Sequence, residues 1–107
     1  MNEKFRVSLS VAEELKAAGY PQEGCDGYWE NQVSKDAFPS YRLVDFKAEY
    51  AAPCVGALGE VSPEWVCTFK TPDGYACEVE KIITIYDKNE ANARALVWIE
   101  LKKKGLL

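Results

Sequence analysis

The sequence predicts a single α+β domain in which a long C-terminal helix packs an antiparallel sheet. Three observations lead to this prediction. Residues 87–105 combine helical apolar spacing with signals for both helix ends, and stretches rich in aromatic and β-branched residues alternate with strong turn signals. The length of 107 residues is that of one domain with one hydrophobic core. The predicted order of elements along residues 1–107 is α-β-β-α-β-β-α.

The first predicted helix follows a short extended N-terminal segment. Ser10 and Glu13 have capping-box spacing, at which the two side chains can satisfy free backbone amides of the first turn. Gly19 is the residue type that commonly ends a helix, and Pro21 cannot continue one. From residue 26 the chain becomes aromatic, which predicts a first strand that ends near residues 34–36.

A second strand is predicted for residues 40–50, after a turn through Pro39. Its alternation places Val44 and Phe46 on the face that we expect to point toward the core. Tyr41 and Leu43 then lie on the opposite face. The two strands should form the first hairpin of the sheet.

A short helix is predicted after residue 54, with Pro53 near its start, where a missing N–H costs no hydrogen bond. Residues 65–71 have the composition of a strand, and Pro72-Asp73-Gly74 is a strong turn signal. The following limb, residues 75–86, is long for one strand. A bulge or bend is therefore predicted near Lys81.

The C-terminal helix is the element around which we expect the rest of the chain to pack. Asp87 is its predicted N-cap, because the carboxylate can accept free amide protons of the first turn, and Glu90 completes a capping-box spacing. Three lysines before Gly105 lie where the helix dipole favours cations. The predicted buried stripe consists of Ala91, Ala95, Trp98 and Ile99, widened by Leu96 and Leu101.

Composition narrows the function classes. The net charge of −4, without a basic stripe, disfavours nucleic acid as a partner. No long apolar run and no apolar leader are present, so we expect neither membrane insertion nor export, and a cytoplasmic location. The four cysteines form no C-x-x-C pair and the chain has no histidine. We therefore expect free thiols, with no zinc site and no cofactor.

Three segments carry a family resemblance: Glu14 to Gln22, Tyr50 to Leu58, and Asn89 to Lys102. In order and spacing they resemble a family of small uncharacterised phage and prophage proteins from Bacteroides-type mobile elements, with the patterns L-x-x-A-G-[FY]-P-Q, Y-P-A-P-T and L-W-[LI]-x-L-K. Ala51 and Cys54 depart from the second pattern. The resemblance implies a mobile-element origin and the cytoplasm of a host cell. It brings no activity and no functional residue.

Two kinds of side chain could support catalysis. Cys54 opens the short predicted helix and is the best candidate nucleophile, although without histidine the choice of base is narrow. Glu78 and Glu80 share one face of a predicted strand, as do Asp45 and Glu49. Packing explains the cysteine and charge pairing across strands explains the carboxylates more simply. We therefore assign no catalytic residue.

Exposed aromatic residues favour a binding role. Of the aromatic group near the first hairpin, we expect Trp29, Tyr41 and Tyr50 to contact a partner. The predicted function is that of a non-catalytic phage or mobile-element protein that binds a host or phage protein, or a second copy of this chain. Two alternatives remain. One is an accessory nucleic-acid-associated module that uses residues 102–104, and the other is a minor enzyme that uses Cys54 or the Glu78/Glu80 pair.

Overall fold

The structure, a computed structural model, describes residues 5–33 and 39–107 and confirms the α+β class. The C-terminal helix packs on an antiparallel sheet, as predicted. The predicted end of the first strand, near residues 34–36, lies outside the described residues. The elements are α1 (Leu9–Ala17), β1 (Tyr28–Val33), β2 (Pro39–Val44), β3 (Tyr50–Ala51), α2 (Val55–Val61), β4 (Cys67–Thr71), β5 (Gly74–Val79), β6 (Ile83–Asp87) and α3 (Glu90–Lys103).

The strands form two three-stranded antiparallel sheets. In the first sheet β1 lies between β2 and β3, and in the second β5 lies between β4 and β6. The element order is therefore α-β-β-β-α-β-β-β-α, with one strand more in each half than the sequence predicted.

The extra strand in the first half arises because β2 and β3 pair with opposite edges of β1. Residues 45–49 must carry the chain across the end of the sheet, so they cannot continue β2. The prediction of a strand over residues 40–50 is wrong beyond Val44. Val44 is buried as predicted, whereas Phe46 is 49% exposed instead of pointing inward.

The extra strand in the second half arises at the predicted bend. Residues 80–82 form a tight turn, in which Lys81 adopts a positive φ of 64° and the Ile82 N–H donates to the Val79 carbonyl. The chain reverses there, and Val79 pairs with Ile83. Residues 75–86 are thus two strands of a meander, not one long strand. The turn contains no glycine, proline or asparagine, so local turn signals could not reveal it.

The N-cap of helix α3 lies two residues later than predicted. Asp87 ends β6, where it pairs with Tyr75, and its Oδ1 accepts the N–H of Asn89. Asn89 is the N-cap, and its side-chain oxygen accepts the N–H of Asn92. The predicted cap at Ser10 also shifts, because α1 begins at Leu9 after Ser8.

Helix α3 lies between two hydrophobic cores. One face packs toward α1, α2 and the first sheet, and the opposite face packs on the second sheet. A helix buried between two layers needs apolar residues on both sides, which explains why a single stripe describes it incompletely. The first core receives Ala91, Ala95, Trp98 and Ile99 of the predicted stripe, and the second receives Ala93, Val97 and Leu101.

Partly buried side-chain hydrogen bonds hold the N-terminal segment against α3. The Oδ1 of Asn92 accepts the Ser8 N–H at 2.8 Å, and the Nδ2 of Asn89 donates to the Arg6 carbonyl at 2.8 Å. The Val7 N–H donates to the carbonyl of Pro53. The entry into α1 is therefore fixed by residues more than 40 positions away in the chain.

Candidate functional site

The three aromatic residues predicted to contact a partner lie on one face of the first sheet. Trp29 pairs with Leu43 and with Tyr50, and Asn31 pairs with Tyr41. Paired residues of antiparallel strands point to the same face, as do residues two apart in one strand. The structure therefore brings the three together, with the ring centroids of Tyr41 and Tyr50 6.1 Å apart.

Two of these residues already have contacts within the fold. Trp29 and Tyr50 pack against the first core, and the indole N–H of Trp29 donates to the Val7 carbonyl at 3.1 Å. The Nζ of Lys16 lies 5.2 Å from the ring centroid of Tyr50, as in a cation–π contact. Tyr41 is partly exposed. The role of all three in partner binding stays a prediction.

The predicted carboxylate pairs are not arranged as expected. Glu78 points from β5 with Cys67 and Thr84 as its strand partners, whereas Glu80 lies in the turn after β5. Asp45 and Glu49 are exposed in the segment that crosses the end of the first sheet. Neither pair shares one strand face, because the strands end earlier than predicted.

The lysines at the end of α3 are exposed and are used locally. The Nζ of Lys102 lies 5.9 Å from the ring centroid of Trp98, and the Nζ of Lys103 lies 3.7 Å from a carboxylate oxygen of Glu100. Lys104 is the C-cap residue. These contacts add to the favourable position of cations at a helix C-terminus.

Cys54 shares a cavity with a second cysteine. It is the N-cap residue of α2, and its side chain makes no capping hydrogen bond. Cys54 and Cys25 are both half-buried and both line an open cavity of about 610 Å³ next to Tyr20. Burial raises the pKa of Tyr20 to about 12, and negative charge on Cys25 would add to this effect.

An arginine stands beside this cavity. The guanidinium of Arg6 donates to Oδ1 of Asp26 at 2.8 Å and to the carbonyl of Ala52 at 2.9 Å. The hydrogen bond from Arg6 holds the pKa of Asp26 below its ordinary value, and the same bond raises the pKa of Arg6. The cation is thus fixed at the boundary between the N-terminal segment and the first sheet.

Sequence reasoning missed an exposed row of aromatic residues on the second sheet. Ala76 of β5 pairs with Phe69 on β4 and with Tyr86 on β6, so the three side chains share one face. This is the face turned away from α3, because the adjacent residues Cys77 and Ile85 belong to the second core. Phe69 is 45% exposed and Tyr86 is 70% exposed, while Ala76 between them is fully buried. We call Phe69, Ala76 and Tyr86 the aromatic face.

The aromatic face continues into a groove of about 620 Å³ at the β4–β5 turn. Phe69 and Tyr86 line it together with Pro72, Asp73 and Lys88. Within the described part of the chain, neither Asp73 nor Lys88 takes part in a salt bridge. The groove therefore combines apolar walls with one lysine and two carboxylates, since Asp87 also lines it.

The aromatic face could have been found in the sequence only with the correct strand boundaries. Along β6, Ile83 and Ile85 alternate with Thr84 and Tyr86, which is the pattern of a strand with one buried face. When residues 75–86 are treated as one strand, the alternation is lost. The turn at residues 80–82 interrupts the two-residue period, so the faces assigned before the turn do not apply after it.

Comparison with known proteins finds no family model, no curated protein and no solved structure that matches this chain. Within residues 5–33 and 39–107, no helix is both long enough and apolar enough to cross a membrane. The same residues contain no group of three or more cysteine or carboxylate side chains arranged to hold a metal ion.

Proposed function

We propose that this protein is a non-catalytic binding protein, and that its partner is another protein that places an extended segment on the aromatic face. The observation that supports this most is the pair of exposed rings, Phe69 and Tyr86, on the uncovered face of an otherwise packed sheet. Large aromatic residues contribute most to protein interfaces when a partner removes them from water.

An extended segment is the proposed occupant because β4, which carries Phe69, is an edge strand of its sheet. An edge strand presents unpaired backbone N–H and C=O groups on one side, which an extended chain can join. Alternate side chains of such a segment would then lie beside Phe69 and prolong the aromatic row. The opposite free charges of Asp73 and Lys88 would fix the direction of the segment.

The resemblance to phage and prophage proteins suggests where the segment comes from. A mobile-element protein of this size would act on a host or phage protein, and the net charge of −4 suits a protein partner better than nucleic acid. The phage or mobile-element origin is part of the proposal, and identification of the partner tests it.

Selection of displayed random peptides on the immobilised protein tests the proposal. We expect enriched peptides that share an apolar, strand-forming motif. Their affinity should fall by roughly tenfold or more for the double variant Phe69→Ala/Tyr86→Ala, because the two rings supply most of the contact. Phe46→Ala is the matched control, since Phe46 is exposed to a similar extent outside the second sheet, and its affinity should not change.

Three results would overturn the proposal. No enrichment of peptides would do so, and so would binding that the double variant retains. A dimer in light scattering that the double variant abolishes would instead make a second copy of this chain the occupant. Both variants should still fold, with a loss in the free energy of unfolding of about 0.5–3 kcal/mol, because Phe46 and Phe69 are each about half buried. Circular dichroism checks that each variant is folded.

A further inference from the structure

The free thiols of Cys25 and Cys54 line the same cavity, although 28 residues separate them in the chain. Cys25 and Cys54 are half-buried, and both line the 610 Å³ cavity beside Tyr20. Neither has a place in the proposed binding surface, which lies on the second sheet. Their shared position therefore requires a separate explanation.

The pairing of β1 with β3 explains why the two cysteines lie at the same cavity. Tyr28 pairs with Ala51, and the pairing continues one residue further because the Ala52 N–H donates to the Gly27 carbonyl at 2.9 Å. Cys25 lies two residues before Gly27, and Cys54 lies two residues after Ala52. Because the two segments are antiparallel, both cysteines lie at the same end of the sheet.

Each cysteine is held at its backbone. The Cys25 N–H donates to the hydroxyl of Tyr28 at 3.2 Å, and that hydroxyl donates to the Gln22 carbonyl at 2.7 Å. Cys54 forms an antiparallel bridge with Arg6, and its carbonyl accepts the N–H of Leu58 in the first turn of α2. The two thiols are therefore presented from fixed positions, not from free loops.

Charge on both cysteines also affects the pKa values of the same two side chains, Arg6 and Tyr20. The pKa of Arg6 is raised chiefly by its hydrogen bond with Asp26, and negative charge on either Cys54 or Cys25 adds to the rise. The raised pKa of Tyr20, caused first by burial, also depends on both cysteines. Cys25 and Cys54 thus belong to one electrostatic cluster that contains a fixed cation.

We propose that Cys25 and Cys54 are a dithiol pair that forms a reversible disulfide across the cavity, with a small-molecule disulfide as the oxidant. One thiolate attacks the small disulfide and releases one of its halves as a thiol, leaving a mixed disulfide. The second thiolate then attacks the protein sulfur and releases the other half. Two protein thiols are oxidised, one small disulfide is reduced to two thiols, and the two thiol protons pass to the leaving groups.

The other two cysteines provide an internal control. Cys67 pairs with Glu78 and Cys77 pairs with Thr68, which places Cys67 and Cys77 on opposite faces of the second sheet. Cys77 is fully buried in the second core, and burial raises the pKa of its thiol. These two cannot reach each other without unfolding the sheet, so only the first-sheet pair should close.

Incubation of the reduced full chain with oxidised glutathione, followed by thiol counting in denaturant and peptide mapping, tests the proposal. We expect the loss of two of the four thiols, a mass decrease of about 2 Da, and one linked peptide pair that contains Cys25 and Cys54. The cross-link should raise the midpoint of thermal unfolding by roughly 10 °C, because it restricts the unfolded chain.

Serine variants separate this disulfide from other thiol chemistry. Cys25→Ser and Cys54→Ser should each abolish the mass decrease and the rise in unfolding midpoint, while Cys67→Ser should retain both. Serine is close in size to cysteine, and circular dichroism checks that each variant folds. Persistence of all four thiols, linkage of any other pair, or glutathione adducts without an internal disulfide would overturn the proposal.

Discussion

The two sheets differ in how many of their faces are covered. The first sheet contributes Trp29, Leu43 and Tyr50 to the core beneath α1 and α3. On its other face Tyr28 and Val44 are also buried, in a small cluster completed by neighbouring segments of the chain. The second sheet packs α3 on one face and leaves Phe69 and Tyr86 on the other face in contact with water.

This difference separates aromatic residues that are buried in a core from aromatic residues that stay exposed. Tyr28 is 2% exposed and its hydroxyl both donates and accepts a hydrogen bond, so it serves the interior of the protein. Phe69 and Tyr86 gain less from folding than Tyr28 does, because 45% and 70% of their respective surfaces stay exposed. Large exposed apolar groups on one sheet face are typical of contact surfaces. The open sheet is therefore the better candidate for binding.

The largest expected effect tests whether the two halves depend on one helix. Trp98→Ala should lower the free energy of unfolding by about 3–5 kcal/mol, since it empties a site between α3 and the first core and removes the edge-to-face contact with Tyr20. The measurement is chemical denaturation followed by far-ultraviolet circular dichroism and by aromatic signals. We expect one shared transition for both signals.

A matched substitution in the second core tests the same dependence on α3. Leu101 is buried in the second core, and Leu101→Ala should cost about 2–5 kcal/mol in the same single transition. An unchanged stability of Trp98→Ala, or two separate transitions in either variant, would refute the description of α3 as the shared centre of both cores.

A smaller loss of stability is expected when the hydrogen bond between Asn92 and the N-terminal segment is removed. Asn92→Ala should lower the free energy of unfolding by about 1–3 kcal/mol, because the Ser8 N–H loses its acceptor in a partly buried position. Lys103→Ala on the exposed side of the same helix is the control and should change stability by less than about 0.5 kcal/mol. Equal effects of the two substitutions would show that this hydrogen bond does not stabilise the fold.

The smallest effect concerns pH and distinguishes a buried tyrosine from an exposed one. The pKa of Tyr20 is raised by burial from 10.0 to about 12, so the folded state holds its proton more tightly than the unfolded state. Stability should therefore be full below pH 10 and decline as the pH rises toward 12, by roughly 1–2 kcal/mol.

Substitution assigns part of this decline to one residue. Tyr20→Phe should reduce the decline without abolishing it, because the pKa values of Tyr41, Tyr50 and Cys77 are raised as well. Tyr86→Phe, at the exposed tyrosine of the aromatic face, should leave the decline unchanged. The measurement is denaturant unfolding of the three proteins at several pH values. An identical decline in Tyr20→Phe and in the wild-type protein would contradict the assignment.

Local signals in the sequence predicted much of the fold. The apolar stripe of α3 was correct because its spacing does not depend on other elements, and the turn signal after Thr71 was correct because Pro72 and Asp73 favour a turn locally. A bulge or bend was predicted near Lys81, but the full reversal there and the crossing of residues 45–49 were not. Both depend on which strands pair in three dimensions, and no local residue type indicates them.

The candidate site was harder to predict than the fold. The structure places Trp29, Tyr41 and Tyr50 on one sheet face, and their role in partner binding stays a prediction. Alternation along the strands does not show that Trp29 and Tyr50 pack against the first core. Phe69 and Tyr86 become neighbours of the same alanine only through the register of three strands. Exposure of an aromatic ring is thus a property of the assembled sheet.

The most direct test of the open sheet as the binding surface compares two double variants with one selected peptide. Tyr41→Ala/Tyr50→Ala removes two partly exposed rings of the covered first sheet, and Phe69→Ala/Tyr86→Ala removes the exposed rings of the open second sheet. The measurement is the dissociation constant of the peptide by isothermal titration calorimetry. We predict that only the second pair weakens binding, by roughly tenfold or more. Loss of binding with the first pair and retention with the second would contradict the account.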